Sequence, residues 1–275
     1  MANLQKVLVV LRLHARENAK ARPSWFSKES CVRSLLLAID FARAQGLAVE
    51  STVYVDSAGG PVRNDLRRMI QEFDHRVDFF GGSARRSLQF TIRDLVRSRN
   101  LRDETIVYLV EDDHLHARHA IHALAEMPTE YSLLYSISAD PDDVRKEGRY
   151  RWVVTHRGVS SFAVSDSRLK KDWRMIWAVA WSGPAFDMLT WRVVEGKAPF
   201  TLKEVLSPLS PDFPLVRGSW PKAIWQVMWR VIVSLWSFSR PAQRISALYP
   251  NGATHAENGW TSPGVDWAEI AATKE

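Results

Sequence analysis

The chain has 275 residues, 46% of them hydrophobic and 25% charged, and a single cysteine. That balance excludes a disulfide-stapled mini-protein and a low-complexity chain, and leaves room for a sizeable globular core. The formal charge of +6 points toward an anionic partner, whether a nucleotide, a nucleic acid or a lipid surface.

Gln5 to Leu13 reads as a buried strand, and Lys28 to Gln45 as an amphipathic helix with Val32, Leu35, Leu36 and Ile39 at helical spacing. Gly46 ends that helix. Leu47 to Asp56 is a second strand, followed by the turn Ser57 to Gly60, a helix over Val62 to Phe73 and a third strand over Arg76 to Phe80. Gly81-Gly82-Ser83 leads into a helix over Arg86 to Ser98. Next come a strand from Thr105, a helix over His114 to Glu126 and a strand over Tyr131 to Ser138. This alternation implies an open, largely parallel sheet covered by helices, with ligands beyond the carboxyl ends of its strands. Further on, Arg151–Thr155 and Val159–Ser165 read as a hairpin around His156 to Gly158. Helices follow over Ala185 to Val194 and Pro221 to Trp236, and the tail from Pro241 is irregular. With no repeat and no linker, a single domain over 1–275 is expected.

The most telling stretch is Thr105 to Asp113, an apolar run that stops in three carboxylates. Four of the five residues after Thr105 are β-branched or aromatic, which suits a strand buried on both faces. Glu111, Asp112 and Asp113 cannot stay in such a strand unpaired, so they belong at its tip. There they would hold a divalent cation or cap the following helix; both readings stand at this point. His114, His116, His119 and His122 lie just beyond, but the four cannot share one helix face. Cys31 allows no intramolecular disulfide and fits a reducing compartment. Val7 to Leu11 is too short for a signal h-region, and the apolar run Ile224 to Trp236 is broken by Gln226 and Arg230. The expectation is a cytoplasmic protein without a transmembrane segment. Between Asp143 and Arg174 nine Lys/Arg face four Asp/Glu, and Arg85, Arg86, Arg93, Arg97 and Arg99 form a second basic group. Trp225, Trp229 and Trp236 lie along one side of their helix as a core stripe, an acceptor platform or an interfacial membrane face.

With the acidic triplet at a strand end, the chain resembles the metal-dependent, nucleotide-sugar glycosyltransferases of the GT-A fold. The likeness rests on Glu111-Asp112-Asp113 in the place of the Asp-x-Asp motif and on the basic loop Arg12 to Lys28 after the first strand. It rests also on Asp56 at the end of the second strand, on Gly81-Gly82-Ser83 before a helix, and on Ala253-Thr-His255 near the end. The resemblance implies a Rossmann-like, mixed but mostly parallel sheet flanked by helices, with an irregular helical C-terminal part. Residues 1–140 would form the nucleotide-sugar half and 141–275 the acceptor half and tail. It implies Mn²⁺ or Mg²⁺ held by Asp112, Asp113 and His255. The donor, a nucleoside-diphosphate sugar with UDP favoured, would be contacted by Arg12, Arg16, Arg22, Asp56, Gly82, Ser83 and Glu111. An inverting enzyme would use Asp187 as base, with Asp172 the second candidate. The implied acceptor is anionic, with a modified base in DNA preferred over a bacterial surface glycan or lipid-linked saccharide. Two competing readings remain: a non-catalytic nucleic-acid-binding α/β protein, and a nucleotidyltransferase, which would need a second acidic strand.

Overall fold

The computed structural model describes residues 6–16, 20–98, 105–137, 144–156, 161–182, 186–210 and 220–273. Its frame is a nine-stranded sheet in the order β3-β2-β1-β4-β9-β6-β10-β8-β7. These strands are β1 (Lys6–His14), β2 (Ala48–Asp56), β3 (His75–Phe79), β4 (Thr105–Glu111), β6 (Tyr131–Leu133), β7 (Val144–Glu147), β8 (Tyr150–Val154), β9 (Phe162–Ser165) and β10 (Ile245–Tyr249). β3, β2, β1 and β4 pair in parallel, as do β6 and β10, whereas β9 and β8 run against their neighbours. Seven of the nine strands therefore point one way, and the sheet is mixed but mostly parallel, as the alternation implied.

β1 and β4 are buried on both faces because each face carries its own helical layer. Val7, Val9 and Leu11 join Ile106, Tyr108 and Val110 under α1 (Lys28–Ala44). Leu8 and Val10 join Val107 and Leu109 on the other face, under α3 (Ala84–Ser98) and α5 (Asp166–Val179). α1 starts where Ser27 accepts the Ser30 amide and stops before Gly46, whose φ of +85° suits only a residue without a side chain. α2 (Asn64–Met69) and α4 (Ala120–Ala123) are shorter than the sequence suggested.

Four expectations fail. His114 to Glu126 is not one helix: His114–His116 is a strand, β5, paired antiparallel with β11 (Ala253–His255), and only Ala120–Ala123 is α-helical. All three β5 residues are buried, so a partner strand rather than water must satisfy their backbone. The hairpin around His156 to Gly158 does not form, since β8 pairs with β7 and β10 while β9 inserts between β4 and β6; 157–160 lie outside the described residues. The tail is ordered, giving β10, β11 and α9 (Trp267–Ala272). Finally, α5 was read only as basic sequence, although Ser165 caps it and Leu169, Ile176 and Val179 sit at helical spacing on its buried side.

Candidate functional site

The carboxyl ends of β1, β2 and β4 lie side by side, with His14 opposite Asp56 and Arg12 opposite Glu111. Each acidic residue of the triplet meets a cation there. Arg12, itself buried, donates to Glu111 at 2.7 Å and to the Ala84 carbonyl at the start of α3 at 3.3 Å. Asp112 accepts from Lys28 Nζ at 2.6 Å and from the His14 amide at 2.8 Å. Asp113 Oδ2 meets Arg22 at 3.0 Å and His255 Nε2 at 3.1 Å, while its Oδ1 lies 3.2 Å from His114 Nδ1.

The pairing of β11 with β5 delivers His255. His255 falls opposite His114 in the register, and the two imidazoles stack with centroids 5.0 Å apart. The Ala256 amide then donates to the Asp113 carbonyl, and Arg22 reaches the Ala256 carbonyl at 2.6 Å, so the loop after β1 and the tail close over the same carboxylate.

Burial sets the electrostatics. Desolvation raises the pKa values of Glu111 and Asp112 despite Arg12 and Lys28. Asp113 is desolvated as well, yet its bonds from His114 and His255 hold its carboxyl well below the usual carboxylate range. His114 is pushed down to about 4 by burial and is neutral at pH 7.

Asp56 is fully buried and shapes the neighbouring wall. Its carboxylate accepts from the amides of Ala58 at 3.1 Å and of Gly81 and Gly82, each at 2.9 Å. A Cβ on Gly81 would stand 2.7 Å from Asp56 Oδ2, and Gly82 has a φ of +77°. Glycine at both positions lets this loop fold onto the carboxylate. Ser83 then caps α3 by accepting the Arg86 amide at 3.3 Å. Arg16 is exposed and donates to the Gly59 carbonyl at 2.9 Å.

Arg12 is thus bonded to Glu111, Asp113 to both Arg22 and His255, and Asp112 to Lys28 and the His14 amide. Asp56, Gly82 and Ser83 build the adjoining loop, and Arg16 stands at its rim. α6 (Phe186–Val194) carries the backbone of Asp187 in its first turn; the Asp187 side chain lies outside the described residues. Asp172 is on α5, fully buried, bonded to the Tyr131 hydroxyl at 2.9 Å and paired with Arg168 and Arg240 at 2.5 and 2.7 Å. Sequence reasoning missed Lys28 and Ser161, which accepts the Glu111 amide at 3.0 Å. Lys28 did leave a signal: a lysine opens α1, at the helix end that disfavours cations, as happens when a buried anion compensates.

Among the described residues no group of three or more His, Cys, Asp or Glu is arranged to hold a metal ion. Asp113 Oδ2 and His255 Nε2, at 3.1 Å, are nevertheless spaced as adjacent ligands of an octahedral ion with bonds of about 2.1 Å would be. The same Asp113 oxygen also meets Arg22 at 3.0 Å, so a cation there would displace that guanidinium.

No family model and no curated protein matches the chain. Solved structures do. One is the crystal structure of 4-diphosphocytidyl-2C-methyl-D-erythritol synthase, 10% identical over 65% of this chain and 81% of that one, with a TM-score of 0.37. Another is HddC from Yersinia pseudotuberculosis, 9% identical over 61% of this chain and 79% of its own, with a TM-score of 0.31. At such scores the likeness says nothing about activity.

Proposed function

We propose that the protein is a nucleotide-sugar-dependent glycosyltransferase whose donor lies across the carboxyl ends of β1, β2 and β4. The observation carrying this reading is the convergence of Asp113 and His255, 142 residues apart, in a buried cluster that also holds Arg12, Arg22 and Lys28. Asp113 and His255 would hold Mn²⁺ or Mg²⁺, with Asp112 behind them; the ion would neutralise charge growing on the diphosphate leaving group. In this reading Arg22 exchanges its contact with Asp113 for a phosphate oxygen, a partner its planar fork suits equally well. Arg12 pairs with Glu111 and would orient it toward the ribose or sugar. The Gly81–Gly82 loop, fixed by Asp56, and the capped end of α3 line the nucleotide, and Arg16 stands at its edge. Asp187 is proposed as the base that takes the acceptor proton if configuration inverts.

The exposed cations of 143–174, Arg149, Arg151, Lys170, Lys171 and Arg174, favour an anionic acceptor. Salt-sensitive binding to duplex DNA is the expected result if that acceptor is a DNA base. A second reading, favoured by the cation already paired to each carboxylate, keeps the same donor but uses Arg22 and Lys28 in place of a metal.

Hydrolysis of UDP-sugars assayed with Mn²⁺ and with EDTA separates the two readings. The metal reading expects activity that EDTA abolishes and that Asp113→Asn and His255→Ala each lower by about 10²-fold or more. Loss of all nucleotide-sugar turnover under every condition, with no thermal shift on adding UDP and Mn²⁺, would refute both.

A further inference from the structure

Of the fourteen exposed large hydrophobic residues among those described, twelve fall between Met188 and Phe238. Most lie on α8 (Trp220–Phe238), where Trp220, Ile224, Met228, Val231, Leu235 and Phe238 follow three- and four-residue spacing and form one solvent-facing stripe. The inward side is mixed: Ala223 and Val233 are buried and Trp229 and Trp236 pack on the core, but polar groups are buried among them. Arg230 and Ser237 are buried there, with Arg230 donating to Ser207 Oγ at 2.9 Å and lying over the Phe200 ring. The helix is therefore apolar where a water-facing helix would be polar. α7 (Leu202–Leu206) extends the patch with exposed Leu202 and Leu206.

We infer that this face docks on an anionic lipid bilayer, with α8 lying in the plane of the headgroups. No helix among the described residues is long and apolar enough to cross a membrane, and α8, about 28 Å long at 1.5 Å per residue, keeps its inward side on the protein. Charge selects the occupant. From Trp220 to Ala256 the sequence has no Asp or Glu, Lys203 and Lys222 are exposed on α7 and α8, and the exposed carboxylate of Glu204 on α7 is offset by Arg192 at 3.6 Å. Arg240 donates to the Lys171 carbonyl, which brings exposed Lys171 of α5 to the end of α8. A two-fold contact with a second copy would set these like charges against each other, whereas an anionic surface complements them. The face also leads to the candidate site: Trp225 meets Trp181 edge-on at 6.5 Å, and Arg85, next to the Gly82–Ser83 loop in the first turn of α3, lies 4.5 Å over Trp181. Docking would place the cleft at the lipid surface, within reach of a lipid-borne acceptor. The docking inference stands apart from the sugar-transfer reading.

Flotation of the full chain with vesicles of phosphatidylcholine, alone or mixed with phosphatidylglycerol, tests it. Co-flotation with the mixed vesicles and a blue shift of tryptophan emission are expected. Met228→Glu/Leu235→Glu, both at exposed positions, should weaken binding about tenfold or more with an unchanged circular dichroism spectrum. Lys203→Glu/Lys222→Glu should remove the preference for anionic lipid. Three results would overturn the inference: no flotation, flotation indifferent to phosphatidylglycerol, or a dimer in light scattering that the Met228/Leu235 variant dissolves. Inactivity toward nucleotide-sugars would leave it intact, and failure to float would leave the glycosyltransferase reading intact.

Discussion

Replacing Lys28 with methionine is expected to cost far more than a typical lysine substitution. The ammonium is 3% exposed and spends its three protons on Asp112 Oδ2 at 2.6 Å, the His14 carbonyl at 2.6 Å and the Arg16 carbonyl at 2.7 Å. Methionine fills the same space but leaves a buried carboxylate and two part-buried carbonyls without that donor. Breaking one side of a buried ion pair costs about 3–5 kcal/mol. For a chain of this size that is a fall in Tm of roughly 6–20 °C. Burial already raises the Asp112 pKa, and losing Lys28 raises it further, so the proton is held more tightly in the folded state than in the unfolded one. The deficit of Lys28→Met relative to the parent should therefore be smallest in acid and grow as pH rises through that raised value. Urea unfolding across pH, with Asp112→Asn and the double variant completing a cycle, measures the pair directly. A loss below about 1 kcal/mol for Lys28→Met, or a coupling near zero, would refute the assigned role.

Asp56→Asn turns an acceptor of three amides into a group with one oxygen, and should destabilise by about 2–4 kcal/mol; equilibrium unfolding reads the loss, and a raised KM for the donor is expected with it. Gly81→Ala, whose methyl would meet Asp56 and the Phe79 ring, should cost about 1–3 kcal/mol by the same measurement. His116 is buried and held neutral, its pKa lowered to about 3, whereas it protonates near 6.5 when unfolded. Its contribution is complete above pH 6.5 and is lost as pH falls toward 3, by up to about 5 kcal/mol. His116→Gln should flatten the unfolding midpoint over that window. Asp172→Asn, which weakens the buried pairs with Arg168 and Arg240, should lower stability by about 3–5 kcal/mol and show in the denaturation midpoint.

Local pattern revealed the parallel half of the sheet because β1 and β4 are long, apolar and flanked by amphipathic helices. The triplet at the tip of β4 was legible because carboxylates cannot follow such a run without leaving the core. What escaped depends on partners distant in sequence. His114 to His116 has too few residues to declare itself a strand, and only the arrival of Ala253–His255 makes it one. β9 read as a hairpin arm because sequence neighbours are the default partners, yet its alternation served equally for insertion between β4 and β6. The charges of α5 masked its helical spacing. Trp229 and Trp236 do pack against the core, as one reading of the tryptophan helix had it, while Trp225 stands about half exposed.

The antiparallel pairing of β5 with β11 has a consequence for biosynthesis. Asp113, His114 and the β1–β4 frame can form on a nascent chain, but the second imidazole beside that carboxylate, that of His255, is supplied only once residue 255 has left the ribosome. Until then β5 has an open edge, and the pocket lacks one of its walls. A chain stalled before that point would retain most of the sheet but lack the Asp113–His255 contact, so under the proposed function competence would switch on late in translation rather than grow with it.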